Sequence, residues 1–363
     1  MKVDVITLHY IWHYGSLLQT YATCKMFEKI GFEAEIIDYV RPNAEEDELI
    51  KAGLTAKNYG NNIIKKALFV ASKKIENKRR RKFSEDFLNK YVPMSRHYSS
   101  YEELLQHPPK ADVYCTGSDQ TWNSEYNGGF LPAYYLKFAP QDKKKIGYAV
   151  SIGMDAIPND ELAETRDAVM EYTAISVRED SAVKIIKEMG FSNVQQVLDP
   201  TLGLSLKEWM PLISRRTIKE KYILIYKLNN NAELEKFAQE LAAKKGCKLV
   251  RLSYYLNHFK EKGKMVYSPG VEEFLSLIYN AESVITDSFH CVAFSLNFNK
   301  DLYAFYPGKY STRINSILEL TGAKHRVVNT PDFSNESIDF ERVNQVLSEE
   351  RERTIQFLSE NCK

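Results

Sequence analysis

Short apolar runs alternate with helix-patterned segments along nearly the whole chain, and this rhythm restricts the fold more than any other feature. Strands separated by a dozen or more residues, enough for a helix, pair in parallel. Lys2–Leu8 (KVDVITL) reads as a first strand, followed by a turn around His13–Gly15. The next segment reads as a helix from Ser16, with Leu18, Tyr21, Ala22 and Ile30 as apolar positions and Gly31 where a C-cap belongs. Glu35–Val40 (EIIDYV) is a second strand. The charged stretch from Pro42 to Leu105 reads as helical and includes the run Lys78–Lys82 (KRRRK). Strands resume at Asp112–Cys115, Lys145–Val150, Ala174–Val177 and Val194–Leu198, which makes about six in the first ~200 residues.

The second half repeats the pattern. Pro200–Pro211 (PTLGLSLKEWMP) reads as a hinge, and Tyr222–Leu228 (YILIYKL) as the next strand. Asn231 caps a helix whose Leu234, Phe237, Ala238, Leu241 and Ala242 form an apolar stripe, closed by Gly246. Lys248–Leu252, Met265–Tyr267, Ser283–Thr286, Leu302–Phe305 and Arg326–Val328 read as strands, and a last helix starts near Asp339. With 363 residues, the chain exceeds the ~250–300 that one core accommodates. The expectation is an α/β protein of two Rossmann-like, doubly wound domains facing a central cleft. Residues 1–204 form the first, 212–338 the second, and 339–363 a C-terminal helix.

Composition narrows the class. A 44% hydrophobic share with 12% aromatics fills two cores and excludes a disordered or fibrous chain. The net charge of +1 gives no basis for nucleic-acid binding. Five scattered cysteines (Cys24, Cys115, Cys247, Cys291, Cys362) form neither a zinc pattern nor a disulfide framework, which fits a reducing cytoplasm. Val5–Cys24 lacks charged residues, but its His9, His13, Gln19 and Thr20 suit a buried strand and helix start better than a signal peptide or membrane span. The basic run Lys73–Lys82 reads first as a solvated helix face. Its second reading is peripheral contact with anionic lipid at the inner face of the membrane, or with polysaccharide.

Ligands in open α/β sheets bind beyond the carboxyl ends of the strands. Five strand ends here carry polar or small residues: His13–Tyr14–Gly15–Ser16, Gly117–Ser118–Asp119–Gln120, Ser151–Ile152–Gly153, Ser176–Val177–Arg178–Glu179 and Thr286–Asp287–Ser288–Phe289–His290. A cap or turn explains each one singly; five in two domains point to a ligand site. No GxGxxG follows the first strand, and there is no GxxxxGK[ST], GxSxG or HExxH. No ligand set for a metal is evident, so none is expected. His290, between an acidic turn and the apolar Val292–Phe294, suits a partly desolvated acid or base. Its bland alternative is a buried ring satisfied by backbone. Asp119 and Asp287 are candidate carboxylate partners, although aspartates cap turns far more often than they catalyse. Arg178 offers a planar fork for carboxylate or phosphate, or else pairs with Glu179. Lys309, Ser311 and Arg313 open the helix that runs to Thr321, a second place for an anion.

Taken in order with Gln19, Thr121–Trp122, Tyr148–Ala149–Val150 and Asp199–Pro200–Thr201–Leu202, these motifs resemble the polysaccharide pyruvyl transferase family. The resemblance runs from the first strand to at least Arg313. It implies a GT-B-like pair of Rossmann-type domains. It further implies transfer of the pyruvyl group of phosphoenolpyruvate (PEP) to a sugar diol as a ketal, in bacterial capsule, exopolysaccharide or cell-wall synthesis. PEP is then a co-substrate with no further cofactor, and a sugar or lipid-linked oligosaccharide is the acceptor. The implied roles are proton transfer for His290 with Asp287 or Asp119, and donor binding for Arg178, Ser288, Lys309 and Arg313. His13, Gly15, Ser16, Gln19, Gly117, Ser118, Gln120 and Ser151 line the acceptor side. Many members carry Arg–Leu where this chain has Ser288–Phe289, and often Gly where it has Cys291, so Lys309 and Arg313 are the candidates for the missing cation. Two other classes fit the same architecture: a sugar-nucleotide glycosyltransferase and a non-catalytic glycan-binding protein.

Overall fold

Two all-parallel sheets organise the computed structural model, which describes residues 1–44, 46–60, 62–307 and 311–363. The chain divides into two compact units, one of residues 1–196 with 357–363, the other of residues 197–356.

The first unit opens with β1 (Lys2–Ile6), α1 (Tyr14–Lys29) and β2 (Glu33–Tyr39). A helical pair follows, α2 (Glu46–Lys57) and α3 (Ile63–Tyr91), and leads into β3 (Met94–Tyr98) and α4 (Tyr101–Gln106). Then come β4 (Val113–Thr116), α5 (Ser124–Asn127), β5 (Lys144–Val150), α6 (Leu162–Val169), β6 (Ala174–Val177), α7 (Asp180–Glu188) and β7 (Val194–Gln196). Their sheet runs β3-β2-β1-β4-β5-β6-β7, so the winding reverses between β1 and β4. Helices cover both faces, which is why β4 and β6 are buried at every residue and carry no charged side chain. The uncharged stretch from Val5 to Cys24 has the same cause. It supplies the buried end of β1 and a helix whose residues Tyr14 to Cys24 are all buried.

The second unit begins with α8 (Pro200–Gly203) and α9 (Leu206–Trp209). It continues through β8 (Tyr222–Tyr226), α10 (Ala232–Lys245), β9 (Lys248–Ser253), β10 (Lys264–Tyr267), α11 (Val271–Tyr279), β11 (Ser283–Thr286), α12 (Phe289–Asn297), β12 (Asp301–Ala304) and α13 (Thr312–Leu320). The last helix, α14 (Phe340–Cys362), starts in this unit, but residues 357–363 belong to the first, where Leu358 and Cys362 are buried. The strand order is β10-β9-β8-β11-β12, with its reversal between β8 and β11. Asn231 caps α10 by accepting the Leu234 N–H at 3.0 Å, and Gly246 closes it at φ 60°.

Three local readings of the sequence need correction. The charged stretch after β2 is not wholly helical: it contains β3, an edge strand whose Met94–Ser95–Arg96–His97 are half-buried or exposed and so lack an apolar signature. Arg326–Val328 is not a strand. Lys324–Arg326 forms a 3₁₀ turn, and Val327 makes a single bridge to Ala304, because the Arg326 guanidinium is tied to the Leu302 carbonyl and Asp301. The stretch read as a hinge, 200–211, is folded within the second unit: the Trp209 indole donates to the Thr201 carbonyl at 3.0 Å and packs on Phe294.

Candidate functional site

Each unit gathers polar side chains at the carboxyl ends of the strands beside its reversal. In the first unit the loop after β4 is laid against β1 by Gly117. A Cβ there would stand 2.9 Å from Val5 Cγ1, so no larger residue fits. Trp122 anchors the far side of the loop, stacked on Tyr135 with its indole N–H on the Tyr134 carbonyl. Between these anchors Asp119 adopts φ +73°, a conformation that costs a non-glycine residue roughly 1–3 kcal/mol. Its carbonyl accepts the Thr121 and Ser151 N–H groups, and its carboxylate gathers three donors. Ser16 Oγ donates at 2.9 Å, the Gln120 N–H at 2.9 Å and Arg178 Nη2 at 3.3 Å. Arg178 is almost wholly buried, so its guanidinium is held in one orientation.

Glu179 is not the partner of Arg178. Its Oε1 accepts from Ser151 Oγ (2.8 Å), Ile152 N (3.0 Å) and Gly153 N (3.0 Å), closing the turn after β5. A bulge brings this turn into place: β5 slips register against β6 between Gly147 and Val150, with Ala149 at φ +52°. Ser176 Oγ repairs the ladder by accepting the Ala149 N–H and donating to the Gly147 carbonyl. Gly153, at φ +65°, leaves room for the amide groups of Gln120 and Asn123; a Cβ there would lie 2.6 Å and 3.0 Å from their nitrogens. Both nitrogens are buried without a hydrogen-bond partner among the described residues. They form a donor pair suited to ligand oxygens.

The other first-unit candidates are placed by the β1–α1 turn. His13 caps α1, its Nδ1 accepting the Gly15 N–H at 3.2 Å, so Gly15 and Ser16 belong to the first helical turn. Gln19 donates to Thr7 Oγ1, which in turn donates to the Ser118 carbonyl.

In the second unit, Asp287 is tied into the loop after β8. Its carboxylate accepts from Leu228 N (2.7 Å), Asn229 N (3.0 Å) and Asn229 Nδ2 (3.0 Å). Ser288 stands at the N-terminus of α12 with its hydroxyl buried and unpartnered among the described residues. His290 lies two residues further, in the first helical turn, with its side chain only 7% exposed and its ring edge-on to Phe289. Its Nε2 is 3.9 Å from Asp199 Oδ2, while Asp199 Oδ1 accepts from Thr201 N and Oγ1. Burial pushes the Cys291 thiol up to about 12, so it is no nucleophile. Arg313 lies over the Phe289 ring at 5.6 Å, and Lys309 falls outside the described residues.

Sequence reasoning missed two features. Asp199 belonged to a recognised motif but had no role until the fold set it beside His290. His258, which no motif singles out, is buried against Ser253 Oγ at 2.8 Å, and burial lowers its pKa. A His followed by an apolar Phe259 was the only hint. Among the described residues no group of three or more His, Cys, Asp or Glu side chains is placed to hold a metal ion. No described helix is long and apolar enough to cross a membrane.

Among solved structures, the chain is similar to Methanocaldococcus jannaschii UDP-GlcNAc 2-epimerase at 12% identity, covering 96% of this chain and 92% of that one, with TM-score 0.51. It is similar also to S. aureus MnaA, solved with UDP, at 10% identity, covering 99% and 91%, again with TM-score 0.51. Likeness at this identity shows the fold alone: a GT-B-like pair of Rossmann-like domains. No curated protein matches significantly. The profile of the family described as polysaccharide pyruvyl transferase matches residues 13–308, which include every strand-end cluster described above. The chain therefore belongs to the polysaccharide pyruvyl transferase family.

Proposed function

We propose that the protein transfers the pyruvyl group of PEP to two hydroxyls of a sugar, forming a ketal, in the cytoplasmic stage of bacterial surface-glycan synthesis. The observation that carries this reading is the family match across residues 13–308, with an oriented arginine and a buried histidine at the matched strand ends.

PEP bears a carboxylate and a phosphate, so its recognition calls for fixed cations or N–H donors. Arg178 is assigned to the donor, its guanidinium pre-set by Asp119. Ser288 and the N-terminus of α12 supply donors of the same kind, with Arg313 and Lys309 as further cations. In the reaction the methylene carbon of PEP gains a proton and a sugar oxygen bonds to C2. The bond from C2 to the phosphate oxygen then breaks, and a second sugar oxygen closes the ketal. Of the two hydroxyl protons released, one is balanced by the new methyl C–H and the other leaves with phosphate.

His290 is the group assigned to proton transfer, with the Asp199 carboxylate 3.9 Å from its Nε2. Asp287 holds the loop after β8, a positioning role rather than an acid–base one. Gln120, Asn123, Ser151 and Ser16 offer polar contacts for the acceptor. Incubation with PEP and candidate nucleotide- or lipid-linked sugars, followed by mass spectrometry and a phosphate assay, tests the reading. A product heavier by one pyruvyl ketal, with stoichiometric phosphate, supports it. Turnover of a UDP- or GDP-sugar with none of PEP would replace it with a sugar-nucleotide glycosyltransferase. Binding without turnover of either would replace it with a glycan-binding protein.

A further inference from the structure

The helix α3 has two opposed faces. On one, Phe83, Phe87 and Leu88 are buried with Glu76, Asn77 and Ser84. On the other, Ile63 is 79% exposed, Ile64 74%, Leu68 65% and Ile75 52%. At about 100° per residue these four and the exposed Ala67 and Ala71 fall within an arc of roughly 140°. This apolar face is preformed. Gly53 admits the Phe69 ring, where a Cβ would be 2.8 Å away, so α2 packs closely on α3. Glu46 ties the base of the pair through Arg81 and, at 3.3 Å, Asn77 Nδ2.

Charge selects the occupant. From Leu49 to Ile75 the sequence has no Asp or Glu but has Lys51, Lys57, Lys65, Lys66, Lys73 and Lys74. From Ile63 to Ile75 the aliphatic side chains are ringed by lysines, without the Trp, Tyr and Arg that anchor protein interfaces, which fits an interfacial helix on anionic lipid. The lysine stems add apolar surface while their ammonium groups reach the headgroups. We propose that the outer face of α3 from Ile63 to Ile75 seats the protein on an anionic membrane surface. The contact would act whichever chemistry the strand ends perform.

Co-sedimentation of the full chain with vesicles tests this. The protein should pellet with vesicles of equal parts phosphatidylcholine and phosphatidylglycerol, weakly with phosphatidylcholine alone, and less at high salt. Ile64→Glu/Leu68→Glu and Lys65→Ser/Lys66→Ser should each lower partitioning at least about tenfold with unchanged melting temperature, since all four side chains are exposed. Failure of the wild type to pellet with anionic vesicles overturns the proposal. So does equal pelleting of wild type and both variants. A wild-type dimer in gel filtration that Ile64→Glu/Leu68→Glu dissociates, with no vesicle binding, would assign the face to self-association instead.

Discussion

Asp119 and Asp287 occupy matching places in the two sheets, each just beyond the strand that flanks the reversal, β4 beside β1 and β11 beside β8. Their surroundings differ in kind. Asp119 meets a guanidinium, a hydroxyl and one backbone N–H, and it holds a strained φ. Asp287 meets two backbone N–H groups and one amide, all from a single loop. The first orients a charge; the second fixes a backbone. In the second unit the titratable group is supplied one helical turn along, by His290. The same residue at the same topological position can therefore serve electrostatics or architecture, and only its partners distinguish the two.

The largest expected effect is at His290. His290→Gln should fold normally, bind PEP and lose roughly 10²–10⁴-fold in turnover. A destabilised variant with full rate per folded molecule would show a core ring and leave the second cluster purely architectural. Next comes the contrast between the aspartates. Asp287→Ala strands two backbone N–H groups and should cost about 2–4 kcal/mol of stability, read as several degrees of melting temperature. Asp287→Asn keeps an acceptor and should cost less than half as much. Asp119→Asn keeps shape but removes the countercharge of Arg178, so it should depress PEP affinity more than stability. If both Asn variants behave alike, the comparison fails.

A smaller effect is expected at Arg178. Arg178→Lys keeps the charge and loses the fork, and should weaken PEP binding about ten- to a hundredfold. Unchanged affinity would reduce the Asp119–Arg178 pair to a structural tie.

A third aspartate sets a lower bound for a carboxylate with a poor partner. Burial pushes the Asp4 carboxyl of β1 up to about 6, against the pull of Lys2 at 3.1 Å. Because the folded state holds its proton more tightly, Asp4 contributes most to stability below its ordinary 3.8, and that contribution is lost as pH rises through about 6. Asp4→Asn should therefore stabilise the protein above pH ~7 by at most about 3 kcal/mol and flatten the stability profile between pH ~4 and 6. Denaturant titrations across pH measure this, and a steeper profile in the variant would reverse the assignment.

The contrast also explains what could be read before any coordinates. Strands such as Ala174–Val177 and Ser283–Thr286 were legible because burial on both faces keeps charged side chains out of them. Strand ends rich in polar residues marked both clusters. Partners were not legible: Arg178 meets Asp119 across 59 residues of chain, and no local pattern encodes that. The local guess, Arg178 with Glu179, failed because helix and turn geometry send adjacent side chains in different directions. β3 escaped for the opposite reason, as an edge strand needs no apolar code.

The division of α14 has a consequence in time rather than in space. Residues 357–363 complete the first unit, with Leu358 and Cys362 inside it, yet the 160 residues of Val197–Gln356 are translated in between. At about 5–20 residues per second, that interval lasts roughly 8–32 s. Through it the nascent first unit lacks three buried side chains, Phe357, Leu358 and Cys362, and the second unit has the chance to fold first. The amino-terminal half is thus finished only once the far end of α14 has been made.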